Sequence, residues 1–188
     1  RDVTAGAASE VRLRELSLTD ELTGLRNRRY LDSVLDFEEE RAFRYGFRLV
    51  CAFVDLDRFK EVNDTYGHYV GDQVIRSIAE ALLQRCRKID TLARWGGDEF
   101  VIIMLVKELD DVELILQRLA DGVGGNVMEV AGHSLQVSIS VGAIVSAAGQ
   151  PTNARQLLVE ADRLLLKAKA AGRNRVVIDV AQNSQHGF

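Results

Sequence analysis

Acidic residues border two of the most apolar segments of the chain. The run Leu49–Val54 ends in Asp55 and Asp57, and a second apolar run begins directly after Asp98 and Glu99. If both runs are strands and they pair, their carboxylates meet at one rim of a sheet and repel each other unless a divalent cation offsets the charge. Mg²⁺ prefers oxygen ligands and is commonly completed by substrate phosphates. The pattern predicts a metal-dependent site for a phosphorylated substrate, with acids that only solubilise a turn as the alternative.

The segments that position these acids follow from periodicity. Gly96-Gly97 separates two apolar runs and indicates a two-residue hairpin. Spacing of three and four predicts helices, and short apolar runs predict strands. The predicted helices are Arg28–Tyr45 with Asn27 as its cap, Val70–Arg87, Asp110–Ala120 and Arg155–Ala171. The predicted strands are Leu49–Val54, Leu92–Trp95, Phe100–Leu105, Leu135–Val145 and Val176–Ile178. This order favours a mixed α/β fold with a central sheet covered by helices.

The ends of the chain and its glycine-rich segment complete the predicted organisation. Residues 1–10 are small and polar and indicate a linker, and a short helix follows up to Leu18. Gly122, Gly124 and Gly125 indicate a loop. Residues 181–188 are interpreted as a tail, so the predicted domain covers residues 19–180.

Composition limits the possible classes of partner. The chain has 188 residues, 47% of them hydrophobic, and a net charge of −4. This charge argues against binding to nucleic acid or to an anionic membrane surface, both of which require a basic surface. Cys51 and Cys86 form no metal-binding motif and indicate a reducing compartment. No apolar run reaches the roughly 18 residues of a membrane span.

Four motifs resemble one known family, the GGDEF domains or diguanylate cyclases. They are LTDELTGLRNRRYL (18–31), DLDRFKEVNDTYGHYVGDQVI (55–75), RWGGDEF (94–100) and AKAAGRNRV (168–176). Together they extend over about residues 18–178, and their combination is highly specific. One departure is the Leu-Leu-Leu run at 164–166, where the family often has Ala-Leu-Tyr at a helix packing position.

The resemblance implies a fold and a reaction. The fold is that of nucleotidyl cyclases and polymerase palms, a mostly antiparallel five-stranded central sheet surrounded by helices. The reaction is condensation of two GTP into cyclic di-GMP with release of pyrophosphate, dependent on Mg²⁺ with Mn²⁺ as the alternative ion. A homodimer is implied because one site carries one GTP. The expected location is the bacterial cytoplasm, within a larger multidomain or membrane-tethered protein whose linker or signalling helix is residues 1–18. A catalytically silent module that binds GTP or cyclic di-GMP is the alternative function.

The resemblance also implies roles for the acids. Asp55 and Asp98 are expected to bind the metal, together with the backbone carbonyl of Leu56. Glu99 is expected either to complete the metal site or to assist deprotonation of the attacking hydroxyl, and the sequence leaves both open.

Glycines and cations of the motifs are implied in substrate binding. Gly96 and Gly97 would allow the backbone to approach the nucleotide closely. Lys60, Lys169 and Arg173 resemble contacts to the triphosphate. Cations that only complement a helix C-terminus are an alternative for the last two.

Asn63 and Asp72 are expected to read the base. Guanine presents N1–H and N2–H₂ donors that a carboxylate accepts, whereas adenine presents an acceptor at N1. Asp72 would therefore select GTP over ATP. Its alternative role is the N-cap of a helix.

Arg87 and Asp90 form an R-x-x-D motif shortly before the glycine pair. Its position resembles the inhibitory site of the family, at which cyclic di-GMP binds away from catalysis. The arginine fork suits the O6/N7 edge of guanine. A surface ion pair is the alternative.

Overall fold

The computed structural model describes residues 18–124 and 127–181. The predicted linker, the predicted short helix before Leu18, Gly125 and the tail beyond residue 181 lie outside these ranges. The helices are α1 (Arg28–Tyr45), α2 (Phe59–Tyr66), α3 (His68–Arg85), α4 (Leu109–Val123) and α5 (Ala154–Ala170). The strands are β1 (Arg26–Asn27), β2 (Arg48–Leu56), β3 (Thr91–Gly96), β4 (Glu99–Val106), β5 (Val127–Val130), β6 (His133–Gln136), β7 (Ile139–Val145) and β8 (Val176–Val180).

The main sheet of the described residues has six strands in the order β1-β3-β4-β2-β7-β8. The β3–β4, β4–β2 and β2–β7 pairs are antiparallel, and the two outer pairs are parallel. The predicted α/β class and mostly antiparallel sheet are confirmed. The predicted count of five strands is wrong because β1 has only two residues, too few to produce a periodic pattern.

The prediction of one strand over Leu135–Val145 is also wrong. Residues 133–136 pair with β5 in a separate two-stranded sheet, and β7 begins only at Ile139. Between them, the carbonyl of Ser138 accepts the N–H of Asp57 at 2.9 Å, which ties the start of β7 to the end of β2. The apolar pattern runs across this break, because Val137 is buried although it belongs to neither strand.

Several helix boundaries differ from the prediction by one to three residues. The helix predicted from Val70 begins at His68, and α2 precedes it as a separate helix. Gly67 divides the two helices with φ +85°, a conformation that L side chains rarely adopt. Gly122, predicted in a loop, lies in α4.

Local sequence explains the ends of α1. The Asn27 side chain accepts the N–H of Tyr30 at 3.0 Å, so the predicted cap is confirmed. Gly46 ends the helix in the left-handed region at φ +70°. In the two described ranges, no helix combines the length and hydrophobicity needed to cross a membrane.

The sheet separates two hydrophobic clusters. One face of β2 packs with α3 and α4, and the other packs with α1 and α5. The approach of α5 is especially close at Gly142 in β7, where an added Cβ would lie 2.0 Å from the backbone nitrogen of Leu165. Because side chains alternate along a strand, Asp55 shares the α5 face with Phe53.

Candidate functional site

The acids of the two strands meet at one rim of the sheet. In the β2–β4 ladder, Asp55 lies directly opposite Glu99. The N–H of Leu56 donates to the carbonyl of Asp98 at 3.3 Å, which holds the hairpin turn against the end of β2. Asp98 lies in the turn, and Glu99 is the first residue of β4, one position before the predicted start of the strand at Phe100.

This rim is unfavourable for ionised carboxylates. Asp55 is 5% exposed, and burial raises its pKa to about 6. The hydrogen bond from Lys169 lowers this pKa, whereas the charge of Asp98 raises it further. Burial also raises the pKa of Glu99, and the charges of Asp98 and Asp162 add to it. An added positive charge would therefore stabilise the rim.

Of the three predicted phosphate-binding cations, Lys169 lies at the carboxylates. Its Nζ is 2.8 Å from Oδ2 of Asp55, and it comes from the last turn of α5. Lys60 is exposed in the first turn of α2, and Arg173 is exposed in the connection between α5 and β8.

The donor set of the rim suits a hard divalent cation. It consists of carboxylate oxygens and the predicted backbone carbonyl of Leu56, the ligand type that Mg²⁺ prefers. Over residues 18–124 and 127–181, however, no three His, Cys, Asp or Glu side chains are arranged as a metal-binding group. The Asp55 carboxylate is bound to the Lys169 ammonium instead.

The glycine turn is held by an arginine that the sequence analysis did not assign. The Arg94 guanidinium donates to the Gly97 carbonyl at 2.7 and 3.0 Å and to both carboxylate oxygens of Asp20 at 3.1 Å. Gly97 has φ +53°, and a Cβ at Gly96 would meet no atom within 4 Å. Packing within the protein thus leaves space beside Gly96. Both Asp20 and Arg94 lie within the family motifs, and this position was the sequence signal that could have identified them as part of the site.

The structure brings the two predicted base-reading residues close together. Asn63 lies over Gly71, since a Cβ added at Gly71 would be 1.9 Å from Oδ1 of Asn63. Asp72 directly follows Gly71 in the chain. The Asn63 Oδ1 atom is buried and finds no hydrogen-bond partner among the described residues. Asp72 is exposed within α3, which begins at His68, so the alternative of an N-cap is wrong.

Arg87 and Asp90 form a closed pair in the connection from α3 to β3. The guanidinium donates to the Asp90 carboxylate at 2.9 to 3.2 Å, and the backbone N–H of Arg87 donates to it at 2.9 Å. The Asp90 side chain is 1% exposed, and that of Arg87 is 44% exposed. Arg87 Nη2 also donates to the carbonyl of Leu105, near the end of β4 opposite to Glu99.

Asp57, which the sequence grouped with Asp55, does not join the rim. Its carboxylate accepts the hydroxyls of Ser138 and Ser140, both at 2.6 Å, and the backbone N–H of Asn174 at 2.9 Å. No local signal predicts this, because the partners are 81 to 117 residues away in the chain.

Open clefts surround these residues. Glu99 lines a cleft of about 360 Å³ with Trp95, and Gly96 and Gly97 line one of about 430 Å³. Arg173 borders a cleft of about 510 Å³, and the Arg87–Asp90 pair borders one of about 570 Å³. These volumes are in the range of small-molecule sites.

Comparison with known proteins gives consistent matches. The family model described as "Diguanylate cyclase, GGDEF domain" matches residues 17–175. The response regulator PleD of Caulobacter vibrioides is 42% identical over 165 residues, which are 87% of this chain and 36% of that protein. The diguanylate cyclase DosC of Escherichia coli strain K12 is 36% identical over 158 residues, 84% of this chain and 34% of that protein. The chain thus spans about a third of the length of these relatives.

Solved structures show the same fold. The coiled coil and GGDEF domain of DgcB from Caulobacter crescentus, in complex with c-di-GMP, superimposes with a TM-score of 0.87 at 28% identity, covering 95% of this chain and 94% of that one. The diguanylate cyclase SiaD from Pseudomonas aeruginosa, in complex with its activator SiaC, gives a TM-score of 0.81 at 38% identity, covering 94% and 67%. The family model matches most of the chain, and the chain shares its fold with these domains. The chain therefore belongs to the GGDEF domain family of diguanylate cyclases.

Proposed function

We propose that this chain is a diguanylate cyclase that condenses two GTP into cyclic di-GMP and releases pyrophosphate. The observation that carries the proposal is the pairing of Asp55 with Glu99 beside an open glycine turn, with the pKa of both carboxyls raised. Such a rim suits the binding of a cationic cofactor and a polyphosphate together.

Asp55, Asp98 and the Leu56 carbonyl would hold Mg²⁺, with Mn²⁺ as a possible replacement. When bound, the ion would neutralise triphosphate charge and favour ionisation of the ribose 3′-hydroxyl. It would also compete with Lys169 for the Asp55 carboxylate. The released ammonium would then be available to the triphosphate, together with Lys60 and Arg173.

Glu99 is suited to take up the proton of the attacking hydroxyl. Its raised pKa brings it nearer to the neutral range in which a carboxylate is an effective base. The open space beside Gly96 and the turn at Gly97 would let the nucleotide lie against the backbone.

Asn63 and Asp72 would bind the guanine edge. The unpartnered Asn63 Oδ1 offers an acceptor, and the exposed Asp72 carboxylate offers another one residue away from Gly71. An adenine would lack the two donors at this edge and leave these acceptors unpaired.

Two copies of the chain would be needed for each product, since one site carries one GTP. The Arg87–Asp90 pair would be the inhibitory site for cyclic di-GMP, and its guanidinium would turn from Asp90 to the guanine. We place the domain in the bacterial cytoplasm, within a longer protein that supplies its input.

The test is incubation of the purified chain with GTP and Mg²⁺, followed by chromatographic analysis of the products. We expect cyclic di-GMP and pyrophosphate, and no product without a divalent ion. Binding of GTP without turnover at high protein concentration would instead support the silent module. A parallel incubation with GTP and ATP tests whether a mixed product forms.

A further inference from the structure

The connection that carries Arg173 has an unusual backbone. Gly172, Arg173 and Asn174 all have positive φ, at 116°, 64° and 46°. Left-handed conformations are uncommon for residues other than glycine, and two in succession persist only where surrounding contacts hold them. The orientation of the exposed Arg173 side chain therefore depends on what fixes this backbone.

Backbone hydrogen bonds at both ends and the side chains of Asp57 and Arg175 hold the connection, with Arg175 Nε donating to the Arg173 carbonyl at 3.0 Å. The N–H of Arg173 donates to the carbonyl of Ala168 at 3.1 Å, which continues the end of α5. The carbonyl of Arg175 accepts the N–H of Val141 at 2.9 Å, which begins the pairing of β8 with β7. Between these points, the N–H of Asn174 donates to Oδ2 of Asp57 at 2.9 Å.

The Asp57 carboxylate is itself fixed in place. It is 7% exposed and accepts the hydroxyls of Ser138 and Ser140, one at each oxygen and both at 2.6 Å. Its own N–H donates to the carbonyl of Ser138. The buried carboxylate thus connects the end of β2 and the start of β7 to the connection after α5.

We infer that Asp57 is a positioning residue that sets Arg173 for binding the nucleotide triphosphate. Asp57 is two residues beyond Asp55 on the same chain segment, so its bond to Asn174 links the position of the cation to that of the carboxylate rim. Asp57 acts through Arg173 and contacts no substrate itself. This inference rests on the proposed function, because it takes Arg173 to be a phosphate contact.

The experiment measures binding of a nonhydrolysable GTP analogue with Mg²⁺ to the wild type, Asp57→Ala, Arg173→Ala and the double variant. We expect Asp57→Ala to weaken binding about tenfold, in line with the loss of one charge-assisted contact. In the Arg173→Ala background, Asp57→Ala should cause no further loss, because the residue through which it acts is gone. Full additivity of the two losses would overturn the inference.

Two conservative variants separate positioning from a general loss of structure. Asp57→Asn keeps one oxygen for the Asn174 N–H, while its amide can donate to a serine, so we expect binding within about threefold of the wild type. Ser140→Ala removes one donor to Asp57 but leaves the bond to Asn174, so we expect near wild-type binding. If Ser140→Ala is as defective as Asp57→Ala, the carboxylate is only a structural link and the inference fails. If Asp57→Ala does not fold, Asp57→Ser replaces it in the double-variant comparison, because it keeps a polar group at the buried position but withdraws the acceptor of the Asn174 N–H.

Amide hydrogen exchange gives a readout that does not depend on catalysis. Exchange at residues 172–175 should rise in Asp57→Ala and stay near the wild-type rate in Ser140→Ala. Unchanged exchange in Asp57→Ala would overturn the inference even if the protein is an active cyclase. If the wild type does not bind the analogue, the proposed function is overturned first, and the inference about Arg173 falls with it.

Discussion

The two ends of β4 carry ionisable groups in opposite electrostatic states. At one end, Glu99 and Asp55 lie opposite each other, burial raises the pKa of both carboxyls, and the charge of Asp98 adds to each rise. Near the other end, about 20 Å along the strand, Arg87 bonds to Leu105 and pairs with Asp90 through several hydrogen bonds. At the first end, the Lys169 ammonium is bonded to Asp55 and does not offset all the carboxylates. At the second end, the charge of Arg87 is matched by that of Asp90.

This difference indicates how each end responds to a ligand. A cation that reaches the rim relieves repulsion, so its binding is favoured by the charges already there. A ligand that reaches the Arg87–Asp90 pair must replace existing hydrogen bonds, because Asp90 is buried and already bonded. Under the proposed function, the rim would bind its cation readily, and the pair would bind product only when product accumulates.

The largest effect should come from removing a rim carboxylate. We expect Asp55→Ala or Glu99→Ala to lower the rate of cyclic di-GMP formation on the order of a thousandfold, since each removes metal-binding or proton-accepting capacity. Circular dichroism should show a retained fold. Asp32→Ala, an exposed acid in the same cleft as Glu99, is the matched control with near wild-type activity. Activity of either rim variant near that of the wild type would remove the metal assignment.

The next effect concerns stability and pH at the rim. The pKa of Asp55 is raised from 3.8 to about 6 in the folded protein, so folding favours the neutral carboxyl. The stability that this neutral form contributes is fully present below the ordinary pKa and is lost as the pH rises through 6. Without metal, the unfolding free energy of Asp55→Asn should exceed that of the wild type by an amount that grows to roughly 2–3 kcal/mol as the pH rises from about 4 to about 7.

Urea unfolding across this pH range measures the difference. Mg²⁺ should reduce it, because the ion favours the ionised carboxylate of the wild type and the variant has none. A constant difference over the whole pH range would show that the pKa of Asp55 is not raised in the folded protein.

Base selection should change by a smaller factor. We expect Asp72→Ser to reduce the preference for GTP over ATP by roughly tenfold to a hundredfold, because it removes an acceptor for the guanine donors. Competition assays with both nucleotides measure this preference. Asp64→Ser alters an exposed acid of α2 and should leave the preference unchanged. An unaltered preference in Asp72→Ser would exclude this residue from base reading.

The smallest change in turnover is expected at the other end of β4. Arg87→Ala should raise the product concentration for half-inhibition at least about tenfold, while initial rates stay within about twofold, because a distant site acts by coupling. The variant also leaves the buried Asp90 with fewer donors, so a stability loss of about 1–3 kcal/mol should accompany it. Lys88→Ala, an exposed neighbour at the same cleft, is the control. Equal inhibition of variant and wild type would reduce the motif to a structural ion pair.

Local signals explain what the sequence analysis predicted well. The cap at Asn27, the buried run of β2 and the glycine pair before Asp98 each act within a few residues, so periodicity and turn chemistry reveal them. The convergence of Asp55 and Glu99 followed once β2 and β4 were taken to pair. The family motifs then supplied the roles that residue types alone left open.

Features that depend on distant partners were missed. The brace from Arg94 to Asp20 joins residues 74 positions apart, and neither has a local pattern that indicates the other. Asp57 is a carboxylate two residues from Asp55, as a second metal ligand could be. The hydroxyls of Ser138, just before β7, and Ser140, within β7, donate to it instead. The two-residue β1 and the break before β7 similarly depend on tertiary pairing and not on propensity.

The missing side chain at Gly142 has a consequence for the mutational tolerance of the whole rim. With no Cβ between them, the backbones of β7 and α5 are in direct contact, and Lys169 is carried at the end of that helix. A methyl group at position 142 would lift the helix and alter the reach of its ammonium without touching a single rim residue. The distance between the Lys169 ammonium and the Asp55 carboxylate therefore depends on the absence of a side chain at Gly142, a core position outside the rim.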